Sequence, residues 1–470
     1  MNALKERALF ENTDVTKAVF RLAFPTVIGQ IILVIYNMAD TFFVGLTGND
    51  AMLAAVTVCM PAFMFLSAIS NLFGIGGASV IARAMGAGEA GRARHAAAFA
   101  FWGCLTLTAL YAALAFFARD LFVDLLGGPN AAVHQNAVEY LLCTVVLGGC
   151  VTSVSVLLSH LIRSEGRAIH ASAGIALGGI LNIALDPLFM FVLLPPGKEA
   201  LGAAIATTLS NALSLLYFVG VLLRIRRESL LSFRPSRAML DRQIPAGVLA
   251  AGLPACIMTL VENISYAVLD KLMSLAGLPM QAGIGVAKKV NMLAHCIVRG
   301  ISQGSLPLIA YNYASRNLGR MRASVRVAHR VSVGMALVCM AINLAFARPL
   351  IGIFIHQESP SLLYGAAFLR ILCIGGPLSA SAYTFISFFQ ATGEGRKSFF
   401  LAVLRKGLVD IPLMFLLSRL IPVYGIVWAT PIADALCCLT ANLLFHAYLR
   451  GLLEEGGYRR RLEKEPGFAG

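Results

Sequence analysis

Long apolar runs alternate with short, Arg-rich polar connections along the whole chain. A helix that crosses a bilayer needs roughly 20 mainly apolar residues. About twelve stretches meet that requirement, near 17–46, 51–82, 95–119, 134–162, 168–194, 200–223, 246–275, 280–311, 324–347, 361–390, 397–419 and 424–449. Several exceed the minimum, which permits tilt without fixing it. The pattern predicts an all-α integral membrane protein of twelve transmembrane helices.

The polar connections differ in sign. One alternate set carries Arg83, Arg92 and Arg94, then Arg163 and Arg167, then Arg224, Arg226, Arg227, Arg234, Arg237 and Arg242. It continues with Arg316, Arg320, Arg322 and Arg326, with Arg396 and Lys397, and with Arg459, Arg460, Arg461 and Lys464. The other set offers little beyond Arg119, Lys198, Lys271, Arg348 and Arg419. The excess of basic residues on the cytoplasmic side of membrane proteins places both termini in the cytoplasm and requires an even number of crossings.

The two halves repeat each other. Gly91-Arg92-Ala93-Arg94 recurs 228 positions later as Gly319-Arg320-Met321-Arg322. Glu165-Gly166-Arg167 returns 229 positions on as Glu394-Gly395-Arg396, and Phe24-Pro25 returns as Leu253-Pro254. Gly202, Ala206 and Thr207 match Gly425, Ala429 and Thr430 at an offset of 223. Ordered matches of this kind indicate a duplicated unit of about six helices. An even number of crossings per unit makes the copies parallel, related by a pseudo-two-fold axis along the membrane normal. The expected division is an N-terminal six-helix lobe over 1–223, a basic cytoplasmic linker over 224–245, a C-terminal lobe over 246–450 and a cytoplasmic tail over 451–470.

Composition narrows the class further. Of 470 residues, 58% are hydrophobic and 13% charged, with a mean hydropathy of +0.77. Soluble domains carry about a quarter charged residues, and single soluble cores stop growing near 250–300 residues, so a bilayer protein is the remaining reading. The net charge of +14 would suggest nucleic acid in a soluble protein. Here the basic residues sit between apolar spans, so no nucleic-acid partner is expected. Residues 1–16 are broken up by Lys5, Glu6, Arg7, Glu11 and Asp14 and read as no cleavable signal peptide. The 10 Cys lie mostly inside apolar segments without a Cys-x-x-Cys, as expected of free buried thiols. No nucleophile–base pair or metal-ligand set can be named, so no enzyme is expected.

Polar residues inside the spans carry the chemistry, because an ionised group at bilayer depth costs several kcal/mol and is by default a functional candidate. Gln30, Asn37 and Asp40 fall within roughly 80° of one another on the first helix, a single polar stripe. On the fifth, Asn182 and Asp186 are stacked at i, i+4, and Pro187 follows, removing a backbone donor and bending the helix beside the acid. The sixth adds Thr207, Asn211 and Ser214 on one face. If these groups converge, their oxygens suit a proton or a hard monovalent cation such as Na+. Two carboxylates in a low-dielectric interior also resist ionising together, which makes a proton switch reasonable. Each acid could instead pair with a helix end or a buried hydroxyl.

The second half reads differently. Lys406 stands at i−4 of Asp410, a structural ion pair. Glu262, Asp434, Tyr266 and Asn211 are weaker candidates for attracting a cationic substrate. His160, His295 and His446 are read as local hydrogen-bonding residues. Aromatic and Met residues such as Phe42, Met60, Phe385 and Phe388 could line a cavity for flat cations, or simply face lipid.

Taken together, Pro25 with Asn37-x-x-Asp40-Thr41, the Gly86-x-Gly88-Glu89…Arg92 loop, the Arg163-x-x-Gly166 loop and Leu181-Asn182-x-x-Leu185-Asp186-Pro187 resemble the multidrug and toxic compound extrusion (MATE) family. The fifth-helix motif is similar to the bacterial and archaeal branch whose acids lie in the N-terminal lobe. Glu262 resembles the seventh-helix acid of another branch. The resemblance implies two six-helix lobes opening as a V and export of organic cations driven by inward proton or sodium movement. It further implies Asp40, Asn182 and Asp186 as coupling-ion residues, with Asn37 and Thr207 beside them. The protein is expected to be a monomer in a bacterial or archaeal cytoplasmic (inner) membrane, contacting lipids and small organic cations, with no cofactor beyond H+ or Na+. Two rivals remain at this point: a lipid-linked precursor flippase of related fold, and a structural or sensory membrane protein without flux.

Overall fold

The apolar runs become helices because nothing else satisfies backbone polar groups in hydrocarbon. In the computed structural model, which describes residues 8–126, 131–355 and 359–462, every regular element is helical. The first half contains α1 (Val15–Leu46), α2 (Asp50–Gly86), α3 (Ala90–Phe117), α4 (Arg119–Leu126), α5 (Ala131–Leu141), α6 (Gly149–Ser164), α7 (Ala168–Leu188) and α8 (Glu199–Ile225). The second contains α9 (Gln243–Ala276), α10 (Leu278–Ala314), α11 (Leu318–Ala345), α12 (Ala347–Gly352), α13 (Pro360–Ile374), α14 (Gly376–Thr392), α15 (Gly395–Val403), α16 (Ile411–Leu420) and α17 (Tyr424–Leu462). The start of the expected N-terminal lobe (1–7) and the end of the expected tail, including Lys464, lie outside the described residues.

Among the described residues, eight helices are long and apolar enough to span a membrane by length and composition alone. Two more spans are bent pairs: α5 with its following turn meets α6 at 49°, and α13 meets α14 at 43°. Two further crossings, α10 and the run from α15 to α16, look less apolar because they carry Lys288, Lys289 and Arg299 or Arg405, Lys406 and Asp410. Wide π turns interrupt the ladder at Leu142–Leu147, Phe189–Leu193 and Leu404–Asp410. Such turns are rare and concentrate at functional sites. The second begins two residues after Pro187, whose ring cannot donate to the ladder. Large apolar side chains including Leu110, Phe117, Leu223, Leu275 and Leu443 stand exposed on the outer surface, as lipid-facing residues do.

The halves meet along α1–α10 and α2–α9, and the contacts gather toward the end that carries the chain termini. Gly252 lies so close to α2 that a Cβ there would sit 1.8 Å from the Leu72 carbonyl oxygen, and one on Gly304 would sit 2.7 Å from the Ala23 Cα. Only glycine allows these backbones to approach. The seam ends at two polar contacts, Asn71 Nδ2 donating to Thr259 Oγ1 at 3.0 Å and Gln30 Nε2 to Gln303 Oε1 at 3.5 Å. Beyond it, Phe42 and Leu46 near the end of α1 and Leu278 at the start of α10 are exposed. The halves form a V closed at the basic end.

Two segments strap that end. Before α1, Leu9 and Phe10 are buried, Phe10 stacks on Tyr311 at 4.9 Å, and Arg320 donates to the carbonyls of Leu9, Phe10 and Thr13. The connection between α8 and α9 docks on the first half: Glu165 accepts from the Ser229 hydroxyl at 2.8 Å and the Leu230 N–H at 2.6 Å, and Trp102 donates to the Phe233 carbonyl.

Candidate functional site

Helix periodicity delivers four polar side chains to the interior of the first half. Asp40 comes from the outer part of α1, Asn182 and Asp186 from adjacent turns of α7, and Thr207 from α8. None is more than 6% exposed. The Asn182 amide nitrogen donates to Asp186 Oδ1 at 3.2 Å and to Thr207 Oγ1 at 3.3 Å, joining α7 to α8. α1 and α7 pack so closely that a Cβ on Gly179 would sit 3.2 Å from the Tyr36 ring, and both carboxylates lie beyond that contact in the interior of this half, within electrostatic reach of each other and of Tyr36 and Tyr140.

What this pocket lacks decides its chemistry. Among the described residues no Lys, Arg or His pairs with either acid, while Asp40 Oδ1, Asp186 Oδ2 and Asn182 Oδ1 are buried without a hydrogen-bond partner. A buried acceptor left unmatched is expensive. The unmatched groups are all oxygen acceptors, the donor set that suits a proton or a hard monovalent cation. Among the described residues no group of three or more His, Cys, Asp and Glu gathers as a metal centre.

The remaining candidates of this half are placed around that core. Asn37 turns its amide to the Leu33 carbonyl at 2.6 Å. Asn211 is half-buried and donates to the Thr207 carbonyl at 2.9 Å. Ser214 joins α8 to α7 through the Gly174 carbonyl. Tyr36 and Tyr140 were not expected at the site. Tyr36 precedes Asp40 by one helical turn and was open to detection on that ground, whereas nothing in the sequence around Tyr140 gives it away.

The second half fills its interior with matched charge. Lys406 donates to Asp410 Oδ2 at 2.8 Å, as the i, i+4 spacing predicts, and Ser265 and Thr430 donate to the same carboxylate. Arg405 donates to Asp434 at 2.6 Å, with both side chains 1% exposed. Arg299 donates to Glu262 at 2.6 Å and to the Tyr383 hydroxyl at 3.2 Å, and that hydroxyl donates to the other Glu262 oxygen. Arg405 lies 4.5 Å from the centre of the Tyr383 ring, while Lys288 and Lys406 face Tyr266.

This geometry corrects the expectation that Glu262, Asp434 and Tyr266 present open positions to a cation. Each already faces a cation of the protein, and for the two acids that pairing offsets the cost of burying their charge. The partners lie 37 and 29 positions away for Glu262 and Asp434, beyond any local spacing rule.

A V of two six-helix bundles around buried, unmatched acids defines a membrane transporter. The MatE family profile matches residues 25–188 and again 254–416, so the chain belongs to the MatE family of transporters, each match covering one half. The multidrug export protein MepA of Staphylococcus saprophyticus is 28% identical over 438 residues, covering 93% of this chain and 95% of that protein. A crystal structure of MATE in complex with MaL6 aligns with a TM-score of 0.87 and 25% identity over 95% of this chain and 99% of that one. The outward-facing conformation of a multidrug resistance MATE family transporter aligns at 0.85 with 24% identity over 95% of this chain and 98% of that one.

Proposed function

We propose that the protein is a secondary antiporter that exports organic cations in exchange for inward-moving protons or sodium ions. The observation that carries this reading is the pair of buried carboxylates, Asp40 and Asp186, with open oxygens and no cation of their own. An organic cation or the coupling ion neutralises the pair, and binding one excludes the other by charge. The basic end of the V is the cytoplasmic face of a bacterial or archaeal inner membrane, and the cleft opens outward.

In the outward-open form the coupling ion enters from outside and occupies Asp40 and Asp186, with Asn182 and Thr207 holding the oxygens in place. The cationic substrate then loses its counter-charges and leaves. Pro187 and the wide turn after it give α7 a place to change geometry as the charge state changes. Each ligand shifts the two-state equilibrium only through its differential affinity for the states. A single chain carries both halves of the V, consistent with a working monomer surrounded by lipid.

The test is transport in reconstituted vesicles, with a pH gradient and a sodium gradient imposed separately and efflux of a fluorescent cation followed. Asp40→Asn and Asp186→Asn are each expected to abolish ion-driven efflux while the protein still inserts. Undiminished efflux in either variant defeats the assignment.

A further inference from the structure

The C-terminal wall of the cleft carries a charged group, Arg299, that the exchange pocket does not use. On α10, Lys288, Met292, His295, Arg299 and Gln303 fall within roughly 80° of one another at about 100° per residue. The lower end of this stripe is fixed by Gln303, which meets Gln30 of the first half. Gly300 and Gly304 beside it pack against Val27 and Ala23 of α1. One turn above that contact, on the open side of the seam, stands Arg299, with its side chain 32% exposed.

Arg299 is held rather than loose. Its Nη2 donates to Glu262 and Tyr383, and the guanidinium lies 5.7 Å from the Tyr383 ring centre. Its Nε and Nη1 hydrogens donate to no described residue. With Nη2 engaged on both of its sides, the guanidinium keeps single, preoriented N–H donors on Nε and Nη1, each able to make one charge-assisted hydrogen bond to a carboxylate.

On the first half, the carboxylates of Asp40 and Asp186 keep oxygens without a hydrogen-bond partner. Asp40 lies ten residues beyond Gln30 and Arg299 four residues beyond Gln303, in the same outward direction. At about 1.5 Å per residue the acid and the guanidinium are offset by roughly 9 Å along the cleft.

We infer that Arg299 is a second substrate-binding point, which takes the carboxylate of dipolar substrates whose cationic end is held by Asp40 and Asp186. The inference rests on the antiporter reading above. Arg299 sets specificity among organic cations and takes no part in ion exchange.

Two dyes that differ in one group test it: rhodamine 110, a zwitterion with a free carboxylate, and rhodamine 123, its cationic methyl ester. Efflux of each is measured in proteoliposomes under one fixed gradient. Because Arg299→Gln alone strands Glu262, it is paired with Arg299→Gln/Glu262→Gln, which removes both charges together. Loss of one charge-assisted hydrogen bond predicts a rise of roughly tenfold in KM for rhodamine 110. The ester is expected to stay within about twofold, and Arg299→Lys to recover part of the loss. Equal effects on both dyes, no effect on either, or a wild-type protein that exports the ester but not the zwitterion overturns the inference. Asp40→Asn serves as the separate arm: persistence of both effluxes there would remove the antiporter reading itself.

Discussion

Thr430 Oγ1 donates to Asp410 Oδ1 at 3.0 Å, at the place in the second half where Thr207 meets Asn182 in the first. Thr430 follows Thr207 by 223 positions and Asp410 follows Asn182 by 228, so the duplication kept the contact and changed the charge around it. In the first half the neighbouring acids stand without a cation. In the second, Lys406 and Arg405 neutralise them. One copy holds the unmatched acids of the proposed exchange pocket, and the other is charge-balanced.

Lys406→Met is expected to strand Asp410 in the interior and lower stability by about 3–5 kcal/mol, as loss of one partner of a buried pair does. Lys406→Met/Asp410→Asn, which removes the charge from both, should recover most of that. Melting temperatures of the two variants in detergent check the difference. A single variant as stable as the wild type would show that the pair is solvated.

Asn182→Leu removes the donor shared by Asp186 and Thr207. The cost to stability is about 1–3 kcal/mol, and ion-driven efflux should fall by roughly tenfold with insertion unchanged. Gradient-driven efflux in vesicles, alongside a melting curve, separates the two effects.

Gly252→Ala places a methyl group against the Leu72 carbonyl, backbone on backbone, so the seam itself must move. The expected result is a lower melting temperature and loss of efflux from a protein that still inserts. Ala at Gly285, where nothing lies within 4 Å, is the matched control and should behave as wild type.

Arg320→Ala removes three hydrogen bonds to the carbonyls of residues 9, 10 and 13. Hydrogen exchange read by mass spectrometry should rise in the segment 8–13 by an order of magnitude or more, while the exchange pocket on α7 stays protected. Equal protection in the variant would mean that the burial of Leu9 and Phe10 alone holds the strap.

The twelve spans were legible because bilayer thickness imposes a length that few other constraints mimic, and the offset of 229 between the halves carried the repeat. Asp40, Asn182 and Asp186 were legible for the same reason: polar groups at bilayer depth stand out against an apolar background. The Lys406–Asp410 pair could be read from its spacing along one helix. The partners of Glu262 and Asp434 could not, since Arg299 and Arg405 come from other helices and helical periodicity does not say which helices adjoin. Nor did periodicity foretell the π turns, which insert an extra residue without leaving a composition signal.

The central claim is that one buried acid pair exchanges substrate for the coupling ion. Ion release on substrate binding tests it most directly, read as protons by calorimetry in buffers of different ionisation enthalpy and as sodium with a labelled ion. The wild-type protein should release the ion when an organic cation binds, and so should Lys406→Met/Asp410→Asn, while Asp40→Asn and Asp186→Asn should not. Undiminished release from those two variants would contradict the account.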